Sequence, residues 1–258
     1  MPLLEIRGLS KSFGGLAVLR DVSFTVGPGE VVGLIGPNGA GKTTVMNVVS
    51  GLMAPSAGSI LFEGRNIAGA APHTVSRLGL KRTFQTSVLV PGLTVLENVM
   101  FGLDRSARYG MLGAALTWPI LRDERELADT ALAALDAVGM LEFQDRRGNE
   151  LSFGQQRMVE LARVIASKPK VVLLDEPAVG LAPARIADLS AHIRRLAGEH
   201  GVAIVLIEHV IQLVLDVCQR AVVMNAGQVI ADGRPEEVTN DPVVVESYLG
   251  RGYYHAHG

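Results

Sequence analysis

A glycine-rich run at residues 36–44 has the residue types and spacing that hold phosphate groups. Its members are Gly36, Pro37, Asn38, Gly39, Ala40, Gly41, Lys42, Thr43 and Thr44. The run fits the pattern G-x-x-x-x-G-K-[ST], in which glycines let backbone N–H groups turn toward phosphate oxygens and the following helix adds its dipole. Lys42 can then reach the outer phosphates, and the Thr43 hydroxyl can ligate Mg²⁺. The run therefore predicts a nucleotide-binding phosphate loop formed by all nine residues.

Two adjacent carboxylates, Asp175 and Glu176, follow an apolar run later in the chain. The carboxyl end of a buried parallel strand lies at the ligand crevice of a doubly wound sheet, beside the phosphate loop. There Asp175 can hold Mg²⁺ through water, and Glu176 can polarise an attacking water as a general base. The alternative is an acidic pair that caps a helix. We favour the catalytic interpretation because the same chain contains the phosphate loop.

The elements that would position these residues are apolar runs of strand length. Val31–Ile35 stands directly before the glycine-rich run, and Val171–Leu174, Ala203–Ile207 and Ala221–Met224 have the same continuous apolar character. Strands buried on both faces have this pattern, and helical segments lie between them, which predicts a covered, mostly parallel α/β sheet. Near the N-terminus apolar and polar residues alternate instead, as in half-buried antiparallel strands. The apolar members of that alternation are Leu4, Ile6, Val22, Phe24 and Val26.

The stretch 94–149 contains no convincing strand, and we interpret it as a helical lobe inserted into the α/β core. Asp123 with Glu126 has the pattern of an N-cap and its capping-box partner, and Gly139 supplies a helix stop. Between them, apolar residues recur at helical spacing. These are Leu127, Ala131, Ala134, Leu135 and Val138. A second helix is predicted over residues 153–167.

The composition excludes several classes of protein. The 258 residues are 48 % hydrophobic and carry a formal net charge of −2, which is too apolar for a disordered chain and lacks the basic field of nucleic-acid binders. The longest uncharged run, 43–62, contains Gly51, Pro55 and Gly58, which predicts a helix, a turn and a strand rather than a membrane span. The single cysteine, Cys218, excludes an internal disulfide and suits a reducing compartment. We expect a cytoplasmic chain with no nucleic-acid partner.

Four further motifs complete a recognisable set. Residues 151–156 read Leu-Ser-Phe-Gly-Gln-Gln and open a helix about twenty residues before the acidic pair. Gln85 ends an Arg-Thr-Phe-Gln segment, His209 follows a buried apolar run, and Phe13 stands in a Lys-Ser-Phe-Gly segment. Each motif alone has an ordinary structural explanation. Together with the phosphate loop and the acidic pair, in this order and spacing, they make the chain resemble the ATP-binding subunit of an ABC transporter over nearly its whole length.

The resemblance implies a fold and a division of the chain. The fold class is α/β: a P-loop (RecA-like) nucleotide-binding core with an antiparallel β subdomain and an inserted α-helical subdomain. The whole chain, 1–258, is expected to be a single ABC ATPase domain. Its expected parts are the core with the β subdomain in 1–94 and 150–235, the helical subdomain in 95–149 with the signature helix continuing to about residue 167, and a C-terminal extension in 236–258.

The resemblance also implies residue roles around ATP and Mg²⁺. Glu176, His209 and Gln85 would form the catalytic set, with His209 holding the γ-phosphate and the attacking water. Gln85 would couple Mg²⁺ coordination to the position of the helical lobe. The implied metal ligands are Thr43, Gln85 and Asp175. Phe13 would stack on the adenine, beside the phosphate loop.

Nucleotide domains of this family pair head to tail, so that each ATP lies between one subunit's phosphate loop and the other's signature helix. The implied contacts across the dimer come from Ser152, Phe153, Gly154 and Gln155. Hydrolysis would let the dimer open, and the helical lobe would carry that motion to a membrane partner. The implied partners are a second ATP-binding subunit, identical or different, two integral membrane permease subunits and, indirectly, a periplasmic or extracellular solute-binding protein. The expected location is the cytoplasmic face of the inner membrane, as a peripheral subunit.

Two positions depart from the family pattern. Phe153 replaces the first glycine of the signature, so the site across the dimer must tolerate one bulky residue. Ala182 stands where the family more often has an aspartate, and it cannot make that side chain's contacts across the dimer. The catalytic pair Glu176 and His209 is unaffected.

A narrower resemblance comes from Gly-Leu-Ala-Pro at 180–183, the aromatic-Gly-Gln-Gln signature, Arg-Thr-Phe-Gln and Tyr-Leu-Gly at 248–250. This combination is typical of ATPases of branched-chain (hydrophobic) amino-acid importers, including relatives that import urea or short amides. The segment 101–125 fits their enlarged helical lobe, the alternative being a variable surface loop.

Three other functions compete with amino-acid import. The first is the ATPase of a lipid or lipopolysaccharide-extraction transporter, which the enlarged insert disfavours. The second is a soluble ABC ATPase that acts on nucleic acid or ribosomes, which the lack of a second cassette, coiled coils and basic extensions disfavours. The third is a non-hydrolysing regulatory cassette, against which the intact Glu176 and His209 argue.

Overall fold

The computed structural model describes residues 1–83, 89–103 and 117–249. Its strands are β1 (Leu4–Phe13), β2 (Leu16–Val26), β3 (Val31–Ile35), β4 (Ala57–Phe62), β5 (Arg65–Asn66), β6 (Leu80–Arg82), β7 (Val171–Asp175), β8 (Ala203–Ile207), β9 (Arg220–Asn225) and β10 (Gln228–Gly233). Its α-helices are α1 (Lys42–Val49), α2 (Pro72–Leu78), α3 (Val95–Phe101), α4 (Thr117–Ala137), α5 (Phe153–Ala166), α6 (Pro183–Gly198), α7 (Ile211–Val217), α8 (Pro235–Thr239) and α9 (Pro242–Leu249). Short 3₁₀ turns occupy Leu141–Phe143 and Gly148–Glu150.

Six strands form a mostly parallel sheet in the order β10-β9-β3-β8-β7-β6. β3 pairs in parallel with β8 and β9, and β7 pairs in parallel with β8 and β6, whereas β10 is antiparallel to β9. Every residue of β3, β7 and β8 is buried, because helices and the second sheet cover both faces of the central strands. The predicted covered parallel sheet is therefore confirmed, and the four apolar runs are its strands β3, β7, β8 and β9.

The second sheet is antiparallel and has the order β2-β1-β4-β5. The alternating apolar residues of β1 and β2 are its buried face, as the sequence pattern predicted. Helix α1 joins the two sheets, because its buried Val45, Met46 and Val49 belong to one hydrophobic cluster with strands of both. This arrangement fixes α1, and with it the end of the phosphate loop, against the core.

The uncharged run 43–62 is divided as expected into α1, a turn and β4. Within the parts of the chain that the structure describes, no helix combines the length and the apolar character that a membrane crossing requires.

The chain divides into two compact units. The first consists of Met1–Arg82, Lys170–Ala178 and Leu189–Gly258, and it contains both sheets. The second consists of Thr83–Pro169 and Val179–Asp188. In the second unit α3, α4 and α5 pack on one another. This unit extends beyond the expected helical subdomain, 95–149 with the signature helix to about residue 167, because residues 83–94 and Val179–Asp188 also belong to it.

The ends of the helices in the second unit follow local capping signals, which agree with the prediction at Gly139 and contradict it at Asp123. Helix α3 begins with a full capping box, in which the Glu97 N–H donates to Thr94 Oγ1 at 3.1 Å and the Thr94 N–H donates to Glu97 Oε2 at 2.7 Å. Asp123 lies within α4, so its predicted role as an N-cap is wrong. Pro119 falls in the first turn of α4, where no intrahelical N–H is needed, and the helix can begin before Asp123. Gly139, at φ 65°, follows the end of α4 as predicted.

Candidate nucleotide-binding and catalytic site

The glycine-rich run connects β3 to α1 at the carboxyl end of the central strand. Gly36 has φ 148° and Gly41 has φ 100°, and a Cβ on Gly36 would lie 2.1 Å from the Met224 carbonyl oxygen. A Cβ on Gly41 would lie 2.8 Å from Leu19 Cδ2. The loop is therefore held between β2 and the end of β9, and at Gly36 any side chain would clash with the backbone of β9.

Lys42 is folded back into this loop. Its Nζ donates to the carbonyl oxygens of Gly36 at 2.6 Å and Pro37 at 3.0 Å, and the residue is only 6 % exposed. Burial lowers the pKa of the Lys42 ammonium, whereas the negative charges of Glu176 and Asp175 raise it. The lysine charge, the loop and the acidic pair thus share one site.

The start of α1 favours an anion. Gly41 is its N-cap, and no side chain in the described part of the chain caps it. The N–H groups of the first turn therefore have no side-chain cap among the described residues, and together with the positive end of the helix dipole they form the arrangement that binds phosphate. Thr43 and Thr44 lie in this first turn.

The oxygen ligands near the loop fit Mg²⁺ bound together with nucleotide phosphates. Asp175 ends β7 and is 1 % exposed, and Thr43 supplies a hydroxyl at the start of α1. Among the residues that the structure describes, no group of three or more His, Cys, Asp and Glu side chains could hold a metal ion by itself. Mg²⁺ at phosphoryl-transfer sites takes one or two protein oxygens and completes its shell with phosphates and water, which matches this set.

The loops after β7 and β8 bring the predicted base and the predicted switch histidine into contact. Asp175 and Ile207 are register partners at the ends of these parallel strands, so Glu176 and His209 emerge side by side. His209 Nε2 lies 3.0 Å from Glu176 Oε1. Glu176 has φ 49°, a left-handed conformation that costs a non-glycine residue about 1–2 kcal/mol. This backbone strain at the proposed base indicates a functional constraint.

Arg82 is a site residue that the sequence interpretation gave no role. Its Nη2 donates to Asp175 Oδ2 at 2.8 Å and its Nη1 donates to Asn47 Oδ1 at 2.6 Å. The side chains of Arg82 and Asp175 are 7 % and 2 % exposed. The guanidinium therefore ties the end of β6 to β7 and α1. The available signal was a basic residue at the end of a strand directly before the Thr-Phe-Gln segment.

Glu208 was also missed. It is 1 % exposed and accepts a hydrogen bond from the Ala178 N–H at 2.7 Å. Its position between an apolar strand and His209 was visible in the sequence, but its partner lies thirty residues earlier. Only the pairing of β7 with β8 brings the two together.

Phe13 and Gln85 are predicted nucleotide and metal contacts outside the phosphate loop and the acidic pair, and their roles are predictions like those of the other site residues. Phe13 ends β1, is 45 % exposed, and has Lys11 Nζ 5.0 Å from its ring centroid. It pairs with Leu16 at the start of β2, the strand that packs against the phosphate loop. Gln85 lies outside the residues that the structure describes.

The signature residues begin helix α5 in the second unit. The Gln155 N–H donates to Ser152 Oγ at 3.4 Å, and the Ser152 N–H donates to Gln155 Oε1 at 2.9 Å, which forms a capping box. Gly154 follows in the first turn, where a Cβ would lie 3.2 Å from Leu181 Cδ2. The signature is therefore a well-formed helix N-terminus packed on the loop before α6.

Phe153, the departure from the signature pattern, packs on the same loop. A Cβ on Gly180 would lie 2.9 Å from its Cε1 atom, and the Arg157 guanidinium lies 5.2 Å from its ring centroid. Phe153 is still 43 % exposed. The ring thus fills space beside a glycine with φ 76° and leaves its other side open.

Ala182 is the N-cap of α6. Its carbonyl oxygen accepts from the N–H groups of Arg185 at 2.8 Å and Ile186 at 3.2 Å. An alanine has no side-chain acceptor, so it cannot cap the helix as the aspartate common in the family would.

Comparison with known proteins places this site in a family. The model of the family "ABC transporter" matches residues 19–179, and the model "Branched-chain amino acid ATP-binding cassette transporter" matches residues 228–254. The chain is 40 % identical to the high-affinity branched-chain amino acid transport ATP-binding protein BraF of Pseudomonas aeruginosa, over 96 % of this chain and 98 % of that protein. It is 38 % identical to LivG of Escherichia coli, which has the same description, over the same shares.

Solved structures agree with the sequence matches. A nucleotide-free ATP-binding cassette from an ABC transporter superposes with a TM-score of 0.85 at 34 % identity, covering 97 % of this chain and 100 % of that one. The ADP conformation of an ATP-binding cassette of an ABC transporter superposes with a TM-score of 0.83, at the same identity and coverage. The resemblance and the fold class predicted from the motifs are confirmed, and the chain belongs to the ATP-binding proteins of the ABC transporter family.

Proposed function

We propose that this chain binds and hydrolyses ATP as the nucleotide-binding subunit of an importer of branched-chain amino acids. The hydrolysis rests on one observation above all: the contact between Glu176 and His209 at the strand ends beside the buried Lys42. The substrate rests on the relatives, since BraF and LivG are described as branched-chain amino acid transport proteins and match nearly the whole chain.

The chemistry is attack of a water oxygen on the γ-phosphorus of ATP, with cleavage of the bond to the β–γ bridging oxygen, giving ADP and phosphate. The Glu176 carboxylate orients this water and accepts its proton, and His209 holds Glu176 and the γ-phosphate in place. Lys42 and the N–H groups of the loop stabilise charge on the phosphates. Mg²⁺, when bound, would neutralise charge on the phosphate oxygens, with Thr43 and Asp175 as its protein ligands.

Coupling to transport requires partners. We propose that two such cassettes pair head to tail, with the α5 N-terminus of each one, from Ser152 to Gln155, facing the phosphates bound by the other. Gln85 would transmit the state of the metal site to the helical unit. That unit would contact one of two membrane permease subunits at the inner face of the membrane, and a solute-binding protein would deliver the amino acid from outside.

Uptake of radiolabelled leucine, isoleucine and valine tests this function. Cells or vesicles would carry the native chain, a Lys42→Ala variant, or no chain, in a background without other importers of these amino acids. The proposal expects ATP-dependent uptake with the native chain only. The same preparations would be tested with radiolabelled urea and short amides. Uptake of these compounds in place of the amino acids would leave the proposed ATP hydrolysis intact but would contradict the proposed transport substrate. Membranes that bind no chain at all would contradict the transporter assignment.

A further inference from the structure

Glu208 is a buried carboxylate at the site to which the mechanism above gives no role. Its Oε1 accepts from the Ala178 N–H at 2.7 Å, and its Oε2 accepts from the N–H groups of His209 at 2.9 Å and Val210 at 3.2 Å. A carboxylate that is 1 % exposed needs such charge-assisted hydrogen bonds to remain in the fold.

The two oxygens of Glu208 hold two different loops. Oε1 binds the loop after β7, which carries Glu176, and Oε2 binds the loop after β8, which carries His209. The Glu176 N–H also donates to the Ile207 carbonyl oxygen at 2.9 Å. The segment that carries the proposed base is therefore attached to the end of β8 at two points, at Glu176 itself through Ile207 and at Ala178 through Glu208.

We propose that Glu208 is a positioning residue for the catalytic pair. Its carboxylate fixes the separation of the two loops and so holds Glu176 Oε1 beside His209 Nε2. Glu176 needs this restraint because its left-handed backbone conformation at φ 49° is not one that a glutamate adopts freely. The inference rests on the proposed ATP hydrolysis and adds to it a residue that acts only through Glu176 and His209.

Glu208 should affect the rate of ATP hydrolysis and not the binding of ATP. Lys42 donates to Gly36 and Pro37, and the phosphate loop packs on β2 and β9, whereas the Glu208 carboxylate binds the loops after β7 and β8. Loss of the Glu208 carboxylate should therefore lower kcat and leave the affinity for ATP unchanged. If Glu208 only stabilised the fold, kcat per folded molecule would not change.

Three substitutions test these alternatives on the purified full chain. Glu208→Gln preserves volume but places an amide N–H₂ group, a donor, where one set of backbone N–H donors requires an acceptor. Glu208→Asp keeps the charge on a stem that is one methylene shorter and cannot span both loops. The matched control is Glu30→Gln: Glu30 accepts from the Gly27 N–H at 2.6 Å and from Arg220 Nε at 2.9 Å, at the amino end of β3.

Steady-state ATP hydrolysis, ATP binding and thermal unfolding would be measured on each variant. We expect Glu208→Gln and Glu208→Asp to lower kcat by about tenfold or more, equivalent to about 1.4 kcal/mol in the barrier. Their ATP dissociation constants should match the native value, and Glu30→Gln should keep the native kcat. A native kcat in both Glu208 variants would overturn the proposal. A lower kcat would overturn it as well if the thermal unfolding data showed that a smaller fraction of folded protein accounts for the whole decrease. A native chain that binds ATP without hydrolysing it would instead contradict the proposed function itself.

Discussion

His209 Nε2 lies 3.0 Å from Glu176 Oε1, although the two residues are thirty-three positions apart in the chain. The contact exists because β7 and β8 are parallel neighbours that end at the same edge of the sheet. A hydrogen bond between a histidine ring nitrogen and a carboxylate fixes the orientation of both groups. This pair, beside Lys42, is the core of the proposed hydrolytic site.

Replacement of His209 by alanine should slow hydrolysis far more than it weakens ATP binding, because Lys42 and the phosphate loop would still hold the phosphates. Glu176 would lose the side chain that orients it, and a positioned group of this kind contributes about 10²-fold or more to a proton-transfer step. The measurement is kcat and KM for ATP at neutral pH. His200→Ala is the control, because His200 is exposed and lies in the same structural unit. A kcat within twofold of the native value would contradict the role of His209.

Replacement of Gly180 by alanine should destabilise the chain through Phe153. The new Cβ would lie 2.9 Å from Phe153 Cε1, and a non-glycine residue at φ 76° costs about 1–2 kcal/mol on its own. Gly139→Ala isolates the backbone cost, since Gly139 has φ 65° and no neighbour within 4 Å of an added Cβ.

The free energy of unfolding in guanidinium distinguishes the two costs. Gly180→Ala should lose more stability than Gly139→Ala, and the excess should disappear when Phe153 is also replaced by alanine. Equal losses for the two glycine variants would show that Phe153 does not pack on Gly180.

Replacement of Ala182 by aspartate should stabilise the chain. Ala182 is the N-cap of α6, and its carbonyl already accepts the first helical hydrogen bonds. An aspartate would add a side-chain acceptor for the first-turn N–H groups, worth about 0.5–2 kcal/mol. We expect a rise of about 2–4 °C in the thermal midpoint, the shift that 1 kcal/mol produces in a domain of this size. Ala182→Leu, which adds volume without an acceptor, should give no rise, and a rise in both variants would contradict the capping explanation.

The buried thiol of Cys218 should make the free energy of unfolding fall as the pH rises above 9. Burial, and then the negative charge of Glu208, raise the pKa of its thiol to about 12 from an ordinary value of 9.0. Between these two values the unfolded chain loses the thiol proton and the folded chain keeps it, so stability falls by about 1.4 kcal/mol for each pH unit above 9. Below pH 8 the thiol is protonated in both states and has no effect.

Measurement of the free energy of unfolding at pH 8 and pH 10 tests this predicted fall in stability. The native chain should lose about 1.4 kcal/mol more than Cys218→Ala between the two values, because the variant lacks the thiol. Parallel pH dependence of the native chain and the variant would contradict it.

The strands that position the site could be predicted because burial on both faces requires apolar residues at nearly every position, and such continuous apolar runs are visible in the sequence. The observed bounds of β3 and β8 are the same as those of the predicted apolar runs. Strands covered on both faces are apolar throughout, so the first and last apolar residues mark where they begin and end. β6 has three residues of which only Leu80 is buried, and β10 has no fully buried residue, so neither has a periodicity to detect. The cap signal at Asp123 predicts a start for α4 that is later than the observed one at Thr117, because Asp123 lies inside the helix.

The site residues also fall into two groups, those that a local pattern predicts and those whose role depends on distant partners. The phosphate loop and the acidic pair are local patterns, so their residue types and spacing were sufficient to identify them. Arg82 and Glu208 act through partners that are ninety-three and thirty residues away. Their roles arise from strand pairing, which a single sequence does not reveal.

The rate of ATP hydrolysis by a Glu176→Gln variant tests the central claim most directly. The amide preserves the shape of the side chain but cannot accept a proton from water, so hydrolysis should fall by about 10²-fold or more while ATP binding persists. The control is Glu199→Gln, which removes an exposed carboxylate from the end of α6 in the same unit. Hydrolysis at the native rate in Glu176→Gln would contradict the assignment of Glu176 as the base.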